Sequence, residues 1–289
     1  MERRITGTTQ LLGLIGSPVE HSKSPEMHNF SFQKTGSDYA YLAFDILIEK
    51  VPDAIAAIKT LHMRGGNVTM PCKREVAKYM DDLSPAAKIV GAVNTIVNDH
   101  GKLTGHITDG VGFVSNLKTY DVDPKGKKFT IFGAGGAATA IEVQVALDGA
   151  KSITIFNKKD QFYANAEDTV KKIKQAVPNC AVALYPLDDS DRLKKELAET
   201  DVLVNATLIG MAPHEKSTLI EDKSLFHPGL VVADTVYSPK TTRLLTEAEA
   251  AGCRVIGGLG MLLWQGAEAF KLFSGKDMPV KEVNEIFFS

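Results

Sequence analysis

The sequence predicts an α/β protein of two domains, an N-terminal α/β unit followed by a unit built on a largely parallel sheet. Three observations carry this expectation. The 289 residues are 44% apolar and 24% charged, enough chain for about two hydrophobic cores. Short apolar runs alternate with amphipathic stretches along most of the length, the pattern of β-α units. A glycine-rich loop, Gly133-Ala134-Gly135-Gly136, stands between a β-rich run and a helical one, where parallel sheets place a ligand-binding turn.

The elements follow in order. Leu11 to Gly16 reads as a buried strand ended by the Ser17-Pro18 turn. A helix starts at Pro25 with Ser24 as its cap and runs to about Thr35, with Gly36 beyond its end. Tyr39 to Phe44 is the next strand. Val51 to His62 shows helical spacing and is closed by Gly65-Gly66. Asn67 to Met70 is a short strand stopped by Pro71. A helix covers about Lys73 to Met80, and a helical turn follows Ser84-Pro85. Val93 to Asn98 and Lys102 to His106 form a hairpin across Asp99-His100-Gly101.

The second unit opens with a helix from Gly110 to about Tyr120, capped at Thr108-Asp109, and a strand at Lys128 to Phe132. The glycine loop then leads into a helix ending near Gly149. Further strands are expected at Ser152 to Phe156, Val182 to Leu184, Asp201 to Ala206, Leu230 to Val236 and Arg254 to Ile256. Helices lie between them, about Tyr163 to Gln175, Asp191 to Ala198 and Thr242 to Ala251. Such crossover units make a largely parallel sheet. After Gly257 only helices remain, roughly Met261 to Phe273 and Pro279 to Phe287. They cannot bury a core alone and are expected to return to the first domain. The expected divisions are 1–109, 110–257 and 258–289, and Trp264, Phe270, Phe273 and Phe287 read as core contacts.

Composition excludes several functions. Lys and Arg number 33 against 35 Asp and Glu, a net charge of -2, without the basic excess of a nucleic-acid binder. Cys72, Cys180 and Cys253 are too few and too scattered for a disulfide framework or a Cys-rich zinc site. The histidines contain no H-x-x-x-H pair beside an acid, and no metal is expected. The uncharged stretch from Val255 to Gly266 is too short and glycine-rich to span a bilayer. Arg3 and Arg4 precede only a brief apolar run, unlike a signal peptide. A cytoplasmic protein with neither nucleic-acid nor membrane partners is expected.

The chemistry concentrates at a few places. In Gly133-Ala134-Gly135-Gly136-Ala137-Ala138, Gly133 permits a tight turn, Gly135 lets a pyrophosphate approach the backbone, and Ala138 allows close helix–strand packing. The helix end adds free N–H groups and a positive dipole. The following strand ends at Asn157, 24 residues after Gly133. Lys158 and Lys159 there suit a 2′-phosphate as point charges, whereas Asp160 suits a free 2′-hydroxyl. NAD is the expected cofactor, with NADP possible. Ser22 and Ser24, just before a helix, can hold a carboxylate. Lys73 and Asp109 lie at a strand end and a helix start, where α/β enzymes place substrate groups. Within reach of each other they would form an ion pair able to take and return the proton that hydride transfer at an alcohol requires. The solitary alternatives are a solvated lysine and a helix cap.

These words strongly resemble the shikimate dehydrogenase family, in particular its quinate/shikimate branch. The resemblance is carried by Gly16-Ser17-Pro18 through His21-Ser22-Lys23-Ser24-Pro25 and His28-Asn29, by Asn67-Val68-Thr69-Met70-Pro71-Cys72-Lys73, and by Gly91-Ala92-Val93-Asn94-Thr95. It continues through Thr108-Asp109-Gly110, Gly133 to Ala137, Asn205-Ala206-Thr207 with Gly210-Met211, Val236-Tyr237-Ser238-Pro239, and Gly260-Met261-Leu262 with Gln265-Gly266. It implies a substrate domain and a Rossmann-type dinucleotide domain with the active site in the cleft between them, and reversible reduction of 3-dehydroshikimate to shikimate on the route to chorismate and aromatic amino acids. Lys73 and Asp109 match the catalytic pair. Ser22 and Ser24 match the carboxylate-binding hydroxyls, assisted by Tyr237. Asn67, Thr69, Asn94 and Gln265 match residues that hold ring hydroxyls. Gly133, Ala134, Gly135, Gly136, Ala137, Asn157, Lys158, Asp160, Thr207 and Gly260 form the expected cofactor set. A homodimer is common in such enzymes and is expected here.

Three departures stand out. The family's usual Asn before Thr-Asp-Gly is Ile107, which lacks the amide's hydrogen bonds. Its usual Arg after Asn157 is Lys158, which cannot form a bidentate phosphate fork. Leu208 and Ile209 follow Thr207 where many relatives carry a Ser. A free lysine, with a pKa of about 10.4, is a poor base at neutral pH, so proton transfer is assigned to Lys73 and Asp109 jointly. The rival readings are a primarily quinate-directed enzyme and a non-catalytic dinucleotide sensor on the same fold.

Overall fold

The computed structural model describes residues 5–288. Arg3 and Arg4 lie outside the described residues. Contacts divide the chain into two compact units, residues 5–108 with 263–288, and residues 109–262.

The first unit contains β1 (Gln10–Gly16), α1 (Ser24–Thr35), β2 (Tyr39–Asp45), α2 (Val51–Thr60), β3 (Gly65–Val68), α3 (Lys73–Val76), β4 (Asp82–Leu83), α4 (Pro85–Val90), β5 (Thr95–Asp99) and β6 (Lys102–His106). Its sheet has the order β2-β1-β3-β5-β6-β4. Strands β2, β1 and β3 are parallel, with Ile15 opposite both Phe44 and Val68. Strand β5 runs antiparallel to β3 and β6, so the sheet is mixed. The β5–β6 turn pairs Asp99 with Lys102, and His100 and Gly101 both have positive φ, 54° and 96°, the primed geometry that a two-residue hairpin needs.

Several local readings change. Gly65 and Gly66 do not end a helix but begin β3, two residues earlier than expected. A Cβ on Gly65 would fall on the Ile96 carbonyl and one on Gly66 on the Gly13 carbonyl, so the neighbouring strands require residues without side chains there. The cap of α1 is Lys23 rather than Ser24, with no side-chain cap bond, because the Ser22 hydroxyl accepts the Ser24 N–H at 3.2 Å. The helix expected through Met80 shortens to α3 and a 3₁₀ turn at Ala77–Tyr79, and Met80 turns extended. Strand β4, two residues paired with β6, is too short to show a period.

An aromatic stack joins α1 and β2 to the C-terminal helices. The His28 ring lies 4.6 Å from Tyr41 and nearly parallel to it, and also meets Phe32, Phe270 and Phe273. Burial holds the His28 imidazole down at about 3, so it packs as a neutral ring. Helices α10 (Leu259–Ser274) and α11 (Val280–Phe287) provide the remaining cover. Arg64 donates to the Phe273 carbonyl at 2.9 Å and the Leu272 carbonyl at 3.2 Å, satisfying groups that a helix end leaves open. Phe287 meets Phe30 edge-on at 5.7 Å.

The second unit begins with α5 (Asp109–Lys118) and continues through β7 (Lys128–Phe132), α6 (Gly136–Leu147), β8 (Ser152–Asn157), α7 (Tyr163–Ala176), β9 (Ala181–Pro186), α8 (Ser190–Leu197), β10 (Val202–Asn205), β11 (Val231–Asp234), α9 (Arg243–Ala250) and β12 (Arg254–Ile256). Its sheet order is β12-β11-β10-β7-β8-β9, with every pair parallel. The chain thus winds outward from β7 in one direction and, after a crossover to β10, in the other. This doubly wound order opens a crevice at the carboxyl ends of β7 and β10. Buried Phe132, Phe156, Leu203, Val232, Leu244 and Leu245 belong to one core cluster. Among the described residues no helix is long and apolar enough to cross a membrane.

Candidate active site

In the first unit, the expected residues gather at the sheet edge where β1 and β3 end, β5 begins and β6 ends. Backbone bonds fix the converging loops. Ser17 N–H donates to Met70 O at 3.0 Å, Thr69 N–H to Ile15 O at 2.8 Å, and Val68 N–H to Asn94 O at 2.7 Å. Val93 N–H donates to the Lys73 carbonyl at 2.9 Å, tying the start of α3 to the segment before β5. Ser22, Ser24, Thr69 and Lys73 are half-buried at this edge. Gln265 sits on α10 beside Gly266, where a Cβ would fall on Met27 of α1, so a glycine lets the helices approach.

Asn67 and Asn94 are almost fully buried, and their amides serve the protein first. The Tyr41 hydroxyl donates to Asn67 Oδ1 at 2.8 Å, while Asn67 Nδ2 donates to Asn94 O at 3.2 Å and Thr95 Oγ1 at 3.0 Å. Asn94 Oδ1 accepts the Thr108 N–H at 2.8 Å and the Thr95 hydroxyl at 3.0 Å, and its Nδ2 donates to Thr108 Oγ1 at 3.0 Å. An Asn carries two N–H donors and two acceptor lone pairs. Asn67 therefore retains one lone pair on its oxygen, and Asn94 one amide N–H. This network also answers the departure at Ile107. Ile107 is buried, and the segment leading to Asp109 is held by Asn94 through Thr108 rather than by an amide at position 107.

A cavity of about 250 Å³ lies at the opposite edge of the same sheet, lined by Tyr39, His62, Arg64, Asn98, Asp99 and His100 among others. It holds none of the expected site residues.

In the second unit, Gly133 follows β7 with φ +114° and places its Cα so that a Cβ would sit 2.7 Å from the Ala206 carbonyl. Only glycine meets both conditions. Gly135 and Gly136 have nothing within 4 Å of an added Cβ. The cap of α6 is Gly135, with no side-chain cap bond, so the first-turn amides, including that of exposed Ala137, face an open approach. Ala134 and Ala138 are buried. This arrangement fits a dinucleotide pyrophosphate.

Strand β8 ends at Asn157 as expected. Asn157 Nδ2 donates to the Lys158 carbonyl at 2.8 Å, and Asp160 Oδ1 accepts the Phe162 N–H at 2.8 Å. Lys158, Lys159 and Asp160 are exposed, with the acid held by its turn. Thr207 follows β10, and its hydroxyl donates to Asn205 Oδ1 at 2.7 Å. Exposed Tyr237 follows β11. Gly260 opens α10 where a Cβ would fall on the Asn116 amide of α5. Asp109 is the first residue of α5 and is half-buried. Sequence reasoning missed Asp234, Asn205 and Tyr41 as organising residues. A hint of the first was an acid closing the apolar run Val231-Val232-Ala233.

Comparison with known proteins agrees with these features. Residues 14–96 match the family model described as Shikimate dehydrogenase substrate binding domain, and residues 258–286 match Shikimate 5'-dehydrogenase C-terminal domain. The chain is 53% identical over 285 residues to Shikimate dehydrogenase (NADP(+)) of Listeria innocua, covering 99% of this chain and 98% of that protein. It is 45% identical over 282 residues to the Quinate/shikimate dehydrogenase of Escherichia coli, covering 98% of each. The crystal structure of Shikimate 5-dehydrogenase from Listeria monocytogenes in complex with shikimate and NAD superimposes with a TM-score of 0.97 at 52% identity, covering 100% of this chain and 99% of that one. The chain belongs to the shikimate dehydrogenase family.

Proposed function

We propose that this chain interconverts shikimate and 3-dehydroshikimate with NAD, on the route to chorismate and aromatic amino acids, and that Lys73 and Asp109 handle the proton as one pair. The observation that carries this reading is the neutral amide and hydroxyl network at the carboxyl edge of the mixed sheet, with Lys73 anchored beside it through Val93. Such a surface suits a ring bearing several hydroxyls and one carboxylate. The whole-length likeness to a shikimate- and NAD-bound enzyme adds to it.

The bound dinucleotide supplies the hydride acceptor. Oxidation of the alcohol releases a hydride from carbon and a proton from oxygen. Lys73 and Asp109 take that proton and return it on reduction, and the ammonium stabilises charge developing on the oxygen. Ser22 and Ser24, with Tyr237, take the carboxylate. Asn67, Thr69, Asn94 and Gln265 orient the ring hydroxyls, Asn67 as acceptor through its remaining lone pair and Asn94 as donor. The first turn of α6 holds the pyrophosphate, Asn157, Lys158 and Asp160 the adenosine side, and Thr207 and Gly260 the nicotinamide side.

Quinate is a second substrate on this reading, favoured by the likeness to the E. coli quinate/shikimate enzyme. We place the protein in the cytoplasm as a homodimer. Support for the compartment comes from three free cysteines, all buried. The test is a rate matrix of NAD and NADP against shikimate and quinate, read from the absorbance of the reduced nicotinamide. Shikimate-dependent reduction of NAD is expected. A pure dinucleotide sensor would bind nucleotide and show no substrate-dependent reduction.

A further inference from the structure

Asp234, the last residue of β11, is 2% exposed, and no cation pairs with it among the described residues. Three donors satisfy it. Oδ1 accepts the Val236 N–H at 2.9 Å and Asn205 Nδ2 at 3.0 Å, and Oδ2 accepts the Thr242 hydroxyl at 2.7 Å. Asn205, the last residue of β10, passes the constraint on. Its Oδ1 accepts the Thr207 N–H at 3.0 Å and the Thr207 hydroxyl at 2.7 Å, and its Nδ2 also donates to the Ile209 carbonyl at 2.9 Å. Thr207 Oγ1 in turn accepts the Ile209 N–H at 3.1 Å. Thr242 caps α9 by accepting the Leu245 N–H.

One carboxylate thus joins the loop after β10, the loop after β11 and the start of α9. Burial opposes its ionisation and raises its pKa, while the three donors pull the other way. A carboxylate is the side chain able to accept from several donors at once in a fixed plane. Its buried position carries a desolvation cost that an apolar junction would avoid, which points to geometry rather than stability as its use.

The placement shows which geometry. In a sheet of this winding, a dinucleotide crosses the switch point, with its adenosine half over the first strands and its nicotinamide half toward the strands beyond the crossover. Here those are β7 and β8 on one side and β10 and β11 on the other. Asp234 and Asn205 are themselves sealed from any ligand, at 2% and 1% exposure. The loops they fix carry Thr207 and Tyr237. We propose that Asp234, acting through Asn205, is a positioning residue that sets the nicotinamide half of the site independently of the adenosine half. The inference rests on the dinucleotide reading above.

Calorimetric binding of two probes separates the halves. ADP reaches only the α6 and β8 side, whereas NAD also engages the β10 and β11 loops. Asp234→Ala is expected to keep ADP affinity within about twofold, weaken NAD about tenfold, as loss of buried hydrogen bonds does, and lower kcat for shikimate. Asn205→Ala, which cuts the link to Thr207 while leaving Asp234 bonded to Val236 and Thr242, should move the same readouts in the same direction. Asp234→Asn keeps an oxygen for the Val236 and Asn205 donors, and the Thr242 hydroxyl can reverse to accept one amide N–H, so it should recover most but not all of the NAD affinity. Equal weakening of ADP and NAD, or unchanged NAD affinity in the folded alanine variants, overturns the proposal. If Asp234→Ala does not fold, the Asn205→Ala ratio decides alone. Wild-type protein that binds neither ADP nor NAD defeats the dinucleotide reading itself, a result distinct from any pattern among the variants.

Discussion

The two carboxyl edges solve the same problem with opposite chemistry. In the first unit, the site edge is closed by side chains bonded to one another, with Tyr41, Asn67, Thr95, Asn94 and Thr108 forming a neutral chain. In the second, the edge is left open. The loop at Gly135 and Gly136 carries no side-chain cover, and the organising group is a single buried acid set back from the surface. A neutral, pre-organised wall suits hydroxyls that must be read one by one. A bare helix end suits a phosphate anion that backbone N–H groups can meet without a cation. On the proposed reading, the contrast assigns substrate selectivity to side-chain bonds and the hold on the pyrophosphate to backbone access.

Breaking the first edge at the proposed proton-transfer residue should give the largest effect. Lys73→Ala is expected to lower turnover about 10²-fold or more while leaving the thermal transition close to wild type. Retained turnover would remove Lys73 from the chemistry. The next effect comes from the interior of the second unit, at Glu142 on α6. Both of its oxygens lack a hydrogen-bond partner, and burial pushes its pKa from 4.5 up to about 8. Below pH 4.5 folded and unfolded chains both hold the proton, and the residue makes no pH-dependent contribution. As pH rises toward 8 the unfolded chain releases the proton and the folded chain keeps it, so stability falls. Glu142→Gln should therefore gain on wild type by on the order of 3 kcal/mol between pH 5.5 and 8 in urea melts. Parallel curves for the two proteins would contradict the assignment.

A smaller effect sharpens the contrast from the other side. Asn94→Ala leaves the buried Thr108 N–H without its acceptor and should cost about 1–3 kcal/mol, measured by urea unfolding. It should also lower shikimate turnover while leaving ADP binding unchanged. The smallest effect concerns the adenosine end. Asp160→Ser removes an exposed charge and should shift the NADP-to-NAD ratio of kcat/KM by about fivefold toward NADP. An unchanged ratio would show that Asp160 serves only its own turn.

Much of this was legible because the decisive signals are local. Gly133 is required by its own backbone angle, and the β5–β6 hairpin by two adjacent residues of positive φ. What escaped depends on distant partners. Gly65 and Gly66 look like helix breakers in one dimension, yet the Ile96 and Gly13 carbonyls make them strand residues. Asp234 has no motif of its own, because its meaning lies in donors from Asn205 and Thr242, 29 and 8 residues away. Ile107 showed the loss of an amide but not the hold that Asn94 keeps on Thr108.

Hydride transfer itself can be followed with shikimate carrying deuterium on the carbinol carbon that is oxidised. The account predicts that the label appears in the reduced nicotinamide, that none is released to water, and that turnover shows a primary isotope effect when chemistry limits the rate. Label recovered in solvent, or retained in the organic product after turnover, would contradict it.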